Sequence, residues 1–222
     1  MAEDWSLIDG LAHDLRTPLT PMMLLTHMLE EHPRLPTELL PIVRMLRENV
    51  DAESRLLDAI LDWCRARDSR LELSLTAIDL HEVVQEALDQ VRSIVEHPRV
   101  TTELGAQRRV VAADRTRLVR TLAALVVDAH ARSAAPGVIV LSTRDDPTGV
   151  RLRIHDASRT DPNLLTQALQ ATWPDDARRA LDIGLRLTRV IVELHRGTLI
   201  VTADPSGGTL IDLTLPLGGV SP

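Results

Sequence analysis

Apolar residues recur every seven positions near the start of the chain. Ile8, Leu15, Met22 and Leu29 hold one position of the repeat, and Leu11 and Leu25 fill the second. This spacing predicts one helix over about 5–31. The cluster His32-Pro33-Arg34-Leu35-Pro36 breaks it. A second helix, over about 37–67, carries the stripe Leu39, Val43, Leu46, Val50, Leu57, Ile60 and Cys64. Two long helices joined by a short turn form an antiparallel hairpin. Each stripe is narrow and one hairpin leaves it partly bare, so the pattern predicts a homodimer in which two hairpins pair as a four-helix bundle.

From about residue 70 the texture changes. Leu80 to Val95 reads as a short amphipathic helix, Arg99 to Thr102 and Arg109 to Ala112 as short strands, and Asp114 to Ser133 as a strong helix with Leu118, Leu122, Leu125, Val126 and Ala129 on one face. Val138 to Thr143 and Val150 to His155 alternate as strands around the turn Asp145-Asp146-Pro147-Thr148-Gly149. A short helix near Leu164 to Leu169 precedes a helix over Leu181 to His195, with Gly197 placed to terminate it. Thr198 to Ala203 and Thr209 to Leu215 are the last strands. The fold class expected is α+β: a helical hairpin over 1–68, then an α/β sandwich over 69–222.

Composition narrows the partners. At 44% hydrophobic the chain can bury a core, and with no Phe or Tyr that core is aliphatic. A net charge of −7 argues against nucleic acid or an anionic membrane as the main partner, because both need a basic face. The single cysteine, Cys64, excludes an intrachain disulfide and fits a reducing compartment. No apolar run approaches the roughly 18–20 residues of a membrane span, and Met-Ala-Glu-Asp-Trp lacks the basic start of a signal peptide. The expected location is the cytoplasm, with no membrane partner.

The candidate chemistry begins at Leu11-Ala12-His13-Asp14-Leu15-Arg16-Thr17-Pro18-Leu19-Thr20. In the heptad phase His13 falls opposite the apolar seam, on the exposed face, and Thr17 lies one turn on. Pro18 removes the N–H that would bond to the Asp14 carbonyl, so the helix should loosen beside the histidine. A neutral exposed imidazole is a competent nucleophile. A neighbouring carboxylate can fix its tautomer or act as a base. The decapeptide resembles the phosphoacceptor box of two-component sensor histidine kinases. That resemblance implies that His13 carries a phosphoryl group, that Asp14 assists its transfer and that Thr17 orients water during dephosphorylation. It also implies response-regulator receiver domains as partners.

The second half resembles the Bergerat-type ATPase domain of the same family, with worn boxes. In the helix from Asp114 to Ala129 the family's magnesium-binding Asn aligns with Asp128, whose carboxylate can also hold Mg²⁺. The earlier Asn of that box is Ala124 and the usual Lys is Ala131. In His155-Asp156-Ala157-Ser158-Arg159-Thr160, Asp156 keeps the carboxylate that contacts the adenine amino group in relatives. Ser158 and Thr160 replace two glycines there, where glycine's conformational freedom matters. In Ala180-Leu181-Asp182-Ile183-Gly184-Leu185-Arg186-Leu187 only Gly184 remains of three family glycines.

These losses lead to the expectation of a histidine phosphotransferase that exchanges phosphate with receiver domains, needs no cofactor and keeps its second half as scaffold. An active kinase using ATP with Mg²⁺ through Asp128, Asp156 and Gly184 is the alternative. A non-catalytic dimeric module that binds a response regulator is the third reading. The histidines at 32, 81, 97, 130, 155 and 195 show no metal-ligand spacing.

Overall fold

The computed structural model describes residues 2–95, 98–133, 137–158, 161–170, 180–205 and 207–218. The chain divides into two compact units, Met1–Arg70 and Leu71–Pro222. Among the described residues no helix is long and apolar enough to cross a membrane.

The first unit is the hairpin of α1 (Ala2–Glu30) and α2 (Leu40–Arg67). α1 runs through both Pro18 and Pro21. Neither proline can donate, so the carbonyls of Asp14 and Thr17 lack their usual partner four residues on. α2 starts three residues later than the pattern predicts. Residues 37–39 form hydrogen-bonded turns instead, Leu39 N–H to Pro36 carbonyl at 2.9 Å and Leu40 N–H to Thr37 carbonyl at 3.3 Å. Ion pairs tie the helices together, Arg16 to Asp58 at 2.6 Å and Glu30 to Arg44 and Arg47 at 3.0 and 2.9 Å.

The buried seam differs in part from the heptad reading. Val43 and Val50 are buried as expected, joined by Leu61. Leu39 and Leu46 stay exposed, and so do Leu11, Leu15, Met22, Leu25 and Leu29 of α1. Among the described residues of α1, Thr26 is buried. Its hydroxyl donates to the Met22 and Met23 carbonyls at 2.9 and 3.0 Å, which removes the cost of burying it.

The second unit is a sandwich. A five-stranded sheet has the order β2 (Val100–Leu104), β4 (Ile139–Asp146), β5 (Gly149–Asp156), β7 (Thr209–Leu215), β6 (Thr198–Ala203). Its β2–β4 pair is parallel and the others are antiparallel. One face carries α3 (Leu80–Ile94), α4 (Arg115–Arg132), α5 (Pro162–Gln170) and α6 (Ala180–Leu194). The strand β1 (Thr76–Asp79), absent from the sequence expectation, pairs with β3 (Val110–Ala113) in a small second sheet. Period-two alternation sends Ile139 and Leu141, Leu152 and Ile154, and Ile211, Leu213 and Leu215 inward. They meet Val83, Ala87 and Val91 of α3 and Leu118, Leu122, Leu125 and Ala129 of α4. The opposite face is polar, laced by Arg153 to Asp212 at 2.7 Å and His155 to Asp204 at 3.2 Å.

Strand-to-helix junctions carry aspartate caps. Asp79 accepts from the His81 N–H at 2.9 Å and starts α3; Asp114 accepts from the Arg117 N–H at 3.1 Å and starts α4. At the end of α6 the left-handed residue is Arg196, φ +58°, not Gly197. Arg196 N–H bonds to Glu193 and Gly197 N–H to Val192, the two bonds of a Schellman turn. Gly197 is needed for space, since a Cβ there would lie 2.6 Å from the Thr214 carbonyl oxygen.

Candidate functional site

In the hairpin, His13, Asp14 and Thr17 are all exposed on α1. The Thr17 hydroxyl donates to the His13 carbonyl at 2.8 Å, which leaves its oxygen lone pairs as acceptors. Arg16, one turn ahead of Thr20, is pinned to Asp58 of α2, so the helix surface that bears His13 is braced against its neighbour. An imidazole open to solvent beside a carboxylate is an arrangement that can take a phosphoryl group from a second macromolecular surface.

The second set of residues meets where β5 ends beside α4. Asp156 is the last residue of β5 and shares the inward phase of Leu152 and Ile154, so the alternation that fills the core places its carboxylate inside, fully enclosed. Asp128 lies on the face of α4 that holds Thr121 and Leu125, and it too is buried. The structure thus brings Asp128 and Asp156 into one cluster. Arg132, one turn beyond Asp128, joins them. Its Nε donates to Asp128 Oδ2 at 2.6 Å, its Nη1 donates to Ser158 Oγ at 3.0 Å, and its Nη2 lies 2.9 Å from Asp156 Oδ2. Asp156 Oδ1 accepts the Ser158 N–H at 2.9 Å, and Ser158 Oγ meets Thr209 Oγ1 at 3.0 Å. Two atoms are left over. Arg132 Nη2 and Asp156 Oδ2 are buried in electrostatic contact, yet their alignment makes no hydrogen bond.

Arg132 was not among the residues singled out from sequence. A basic residue four positions after a carboxylate on a helix is the signal that would have found it. Gly184 lies within α6. Arg159 and Thr160 lie outside the described residues, as do the side chains of Asp182 and Arg186. Among the described residues no group of three His, Cys, Asp or Glu side chains forms a ready metal centre. Gly208, φ +107°, packs so closely under Asp156 that a Cβ would lie 2.1 Å from the Asp156 carbonyl oxygen.

Two buried histidine contacts hold the frame. His195 Nδ1–H donates to the Ile191 carbonyl at 2.6 Å and Nε2 accepts the Asp114 N–H at 2.9 Å, a neutral ring joining α6 to the start of α4. Burial pushes its pKa down, outweighing the Ile191 carbonyl and Asp114. At Asp114 burial acts upward, but the Arg117 and Ser74 N–H groups and the Arg117 guanidinium outweigh it and hold the carboxyl below the usual carboxylate range.

Residues 6–69 match the family profile of the His Kinase A (phospho-acceptor) domain. The sensor histidine kinase MtrB of Mycolicibacterium paratuberculosis is 29% identical over 216 residues, which cover 93% of this chain and 38% of MtrB. Full-length ShkA, crystallised in complex with AMPPNP, superimposes with a TM-score of 0.67 at 21% identity, over 95% of this chain and 45% of ShkA. The Acinetobacter baumannii histidine kinase AdeS gives 0.58 at 20% identity, over 93% of this chain and 98% of that structure. The chain thus spans well under half the length of MtrB.

These findings overturn the expectation that no cofactor is required. Among the described residues the helices and strands of the sandwich are present despite the glycine and asparagine losses, and ShkA, which shares the fold, was crystallised in complex with AMPPNP. The residues present keep two carboxylates of the kind such a site uses, Asp156 and the hard-oxygen side chain of Asp128, each ion-paired to Arg132. The chain has a HisKA-like dimerisation and phosphotransfer domain followed by a domain of the histidine-kinase catalytic fold, the architecture of the two-component sensor kinases.

Proposed function

We propose that the chain is the core of an ATP-dependent protein-histidine kinase, phosphorylated on His13 and serving response-regulator receiver domains. The observation that carries this reading is the union, in one chain, of a solvent-facing His13 in a helix matched by the phospho-acceptor profile with a domain that shares the fold of histidine-kinase structures. In it residues 1–68 are the phosphoacceptor hairpin and 69–222 the nucleotide domain. ATP with Mg²⁺ supplies the phosphoryl group.

His13 offers a ring nitrogen lone pair. Asp14 accepts the N–H of the other ring nitrogen, or takes a proton, and so keeps that lone pair free. Thr17 has its hydroxyl proton committed to the His13 carbonyl, so its oxygen can accept from a water aimed at a phosphoryl group during dephosphorylation. Asp156 would accept from the base amino group and Asp128 would hold the metal, with Gly184 on the phosphate side. The Asp128 carboxylate serves a divalent cation by the same charge that now draws Arg132.

The reading includes a homodimer acting in the cytoplasm, where receivers and ATP meet. An apolar groove of about 330 Å³ between Leu15, Leu19 and Met22 of α1 and Leu56, Leu57 and Ile60 of α2 supports it. So do the exposed Leu11, Leu25, Leu29, Ile42 and Leu46 along the hairpin.

The test is incubation with γ-labelled ATP and Mg²⁺. Acid-labile, alkali-stable label is expected on the wild type and none on His13→Gln. No label from ATP, with label acquired from phosphorylated receivers, would refute the kinase. Label that survives His13→Gln would refute the site.

A further inference from the structure

Arg132 holds both of the carboxylates that the kinase reading gives to the nucleotide and its metal. Nε sits on Asp128 Oδ2 at 2.6 Å and Nη2 on Asp156 Oδ2 at 2.9 Å. The third nitrogen, Nη1, donates to Ser158 Oγ at 3.0 Å. Nη2 and Asp156 Oδ2 are both sealed from solvent, so this ion pair is closed to any incoming group. The cost of burying two carboxylates explains why a cation is seated there. It also sets up a competition. A divalent cation drawn to Asp128 Oδ2 meets a positive charge already seated 2.6 Å from that oxygen, and like charges repel strongly at such range. A donor approaching Asp156 Oδ2 meets the same obstacle in Nη2. Either carboxylate becomes free only when the guanidinium leaves.

The side chain has a way out and a latch. Arg132 is the last residue of α4 and its side chain is still 13% exposed, so the guanidinium can swing to solvent with the helix in place. The latch is Ser158, whose Oγ receives Nη1 and lies 3.0 Å from Thr209 Oγ1. Ser158 and Thr209 are both buried, so water does not stand in for the bond to the arginine. We propose that Arg132 is an autoinhibitory plug: a resident cation that closes the nucleotide site and must be displaced from Asp128 and Asp156 before ATP with Mg²⁺ binds. The measured affinity is then the intrinsic affinity scaled by the fraction of molecules with the plug out. Ser158 sets that fraction through the latch.

This inference rests on the kinase reading, and the experiment separates the two. Dissociation constants of Mg²⁺–ATP are measured by calorimetry on the full chain, for wild type, Ser158→Ala and Arg132→Met. Ser158→Ala keeps the arginine and both carboxylates and removes only the latch. Losing one bond from a charged donor should open the site about 10-fold more often and tighten ATP binding by about that factor. Arg132→Met has no plug and should bind ATP at least as tightly as Ser158→Ala. Mn²⁺ alone, followed by the loss of its free-ion electron spin resonance signal, should bind Arg132→Met about 10-fold or more tightly than wild type, because the guanidinium no longer competes for Asp128. If Arg132→Met does not fold, Ser158→Ala still decides. ATP binding by Ser158→Ala that is no tighter than by wild type overturns the plug and leaves the kinase reading standing. Mn²⁺ binding unchanged by Arg132→Met overturns the plug too. No ATP binding by any form overturns the kinase reading along with it.

Discussion

Replacing Asp114 with Ala tests what places α4, the helix that carries Asp128 and Arg132. Asp114 Oδ1 accepts the Arg117 N–H at 3.1 Å; Oδ2 accepts the Ser74 N–H at 3.1 Å and Arg117 Nη1 at 2.6 Å. Loss of an N-cap costs about 1 kcal/mol. Loss of the charge-assisted bond to a mostly buried Arg117 costs about 1.5 kcal/mol, and the Ser74 contact, which water can replace, about 0.5 kcal/mol. The sum is about 3 kcal/mol, or about 6–12 °C in Tm for a unit of this size. Asp114→Asn keeps an acceptor and loses the charge, so it should cost about half. Urea unfolding of the full chain, followed by far-UV circular dichroism, gives both numbers.

The pH dependence adds a second reading of the same pair of variants. The folded carboxyl of Asp114 lies below its unfolded value of about 4. Its contribution is therefore present above that pH and is lost as the pH falls through the lower folded value. The gap between wild type and Asp114→Asn should narrow from pH 7 towards pH 3. A cost below about 0.5 kcal/mol for Asp114→Ala, or a gap that does not change with pH, would refute the view that this carboxylate sets the start of α4.

Three further outcomes follow from other contacts. His195 and His81 both have pKa values lowered chiefly by burial, so each contributes stability that is full above an unfolded pKa of about 6.5 and declines as pH falls from there towards the folded value. Unfolding free energies at pH 8, 6.5 and 5 should fall in that order, with a shallower decline in His195→Ala; a flat profile in wild type contradicts the neutral bridge. Gly208→Ala should cost at least about 2 kcal/mol through backbone strain and the approach to Asp156, whereas Gly207→Ala, with φ +102° and open space around it, should cost about 1 kcal/mol; equal costs would mean the close approach does not matter. Arg16→Ala breaks a half-exposed pair with Asp58 and should change stability by about 0.2–1 kcal/mol while His13 still takes label from ATP.

Most of the fold could be read from periodicity because its elements are single-sided. The buried phase of β4, β5 and β7 follows period two without interruption, and Leu118, Leu122, Leu125 and Ala129 mark the inner face of α4 at helical spacing. β1 escaped because a four-residue strand with the exposure pattern of an edge carries too few alternations to stand out. The seam of the hairpin was only half readable for a different reason. A heptad stripe shows which residues need cover, but not which helix supplies it. Val43 and Val50 are buried, whereas Leu11, Leu25 and Leu46 remain exposed in one copy of the chain.

The cluster of Asp128, Arg132 and Asp156 shows a limit of reading boxes one residue at a time. Asp128 and Asp156 stand out singly, and Ser158 reads as a lost glycine. Placed together, two buried carboxylates need a cation, and Arg132 supplies it from the next turn of the same helix as Asp128. Ser158, in turn, uses its N–H to satisfy Asp156 Oδ1 and its hydroxyl to receive Arg132 Nη1. A glycine could offer the N–H and not the hydroxyl. The substitution that reads as damage in a linear alignment is therefore half of a compensated pair, since the arginine needs the serine oxygen and the serine hydroxyl is otherwise left to Thr209 alone. The costs of changing each partner alone should sum to more than the cost of changing both together, the signature of residues that share one network.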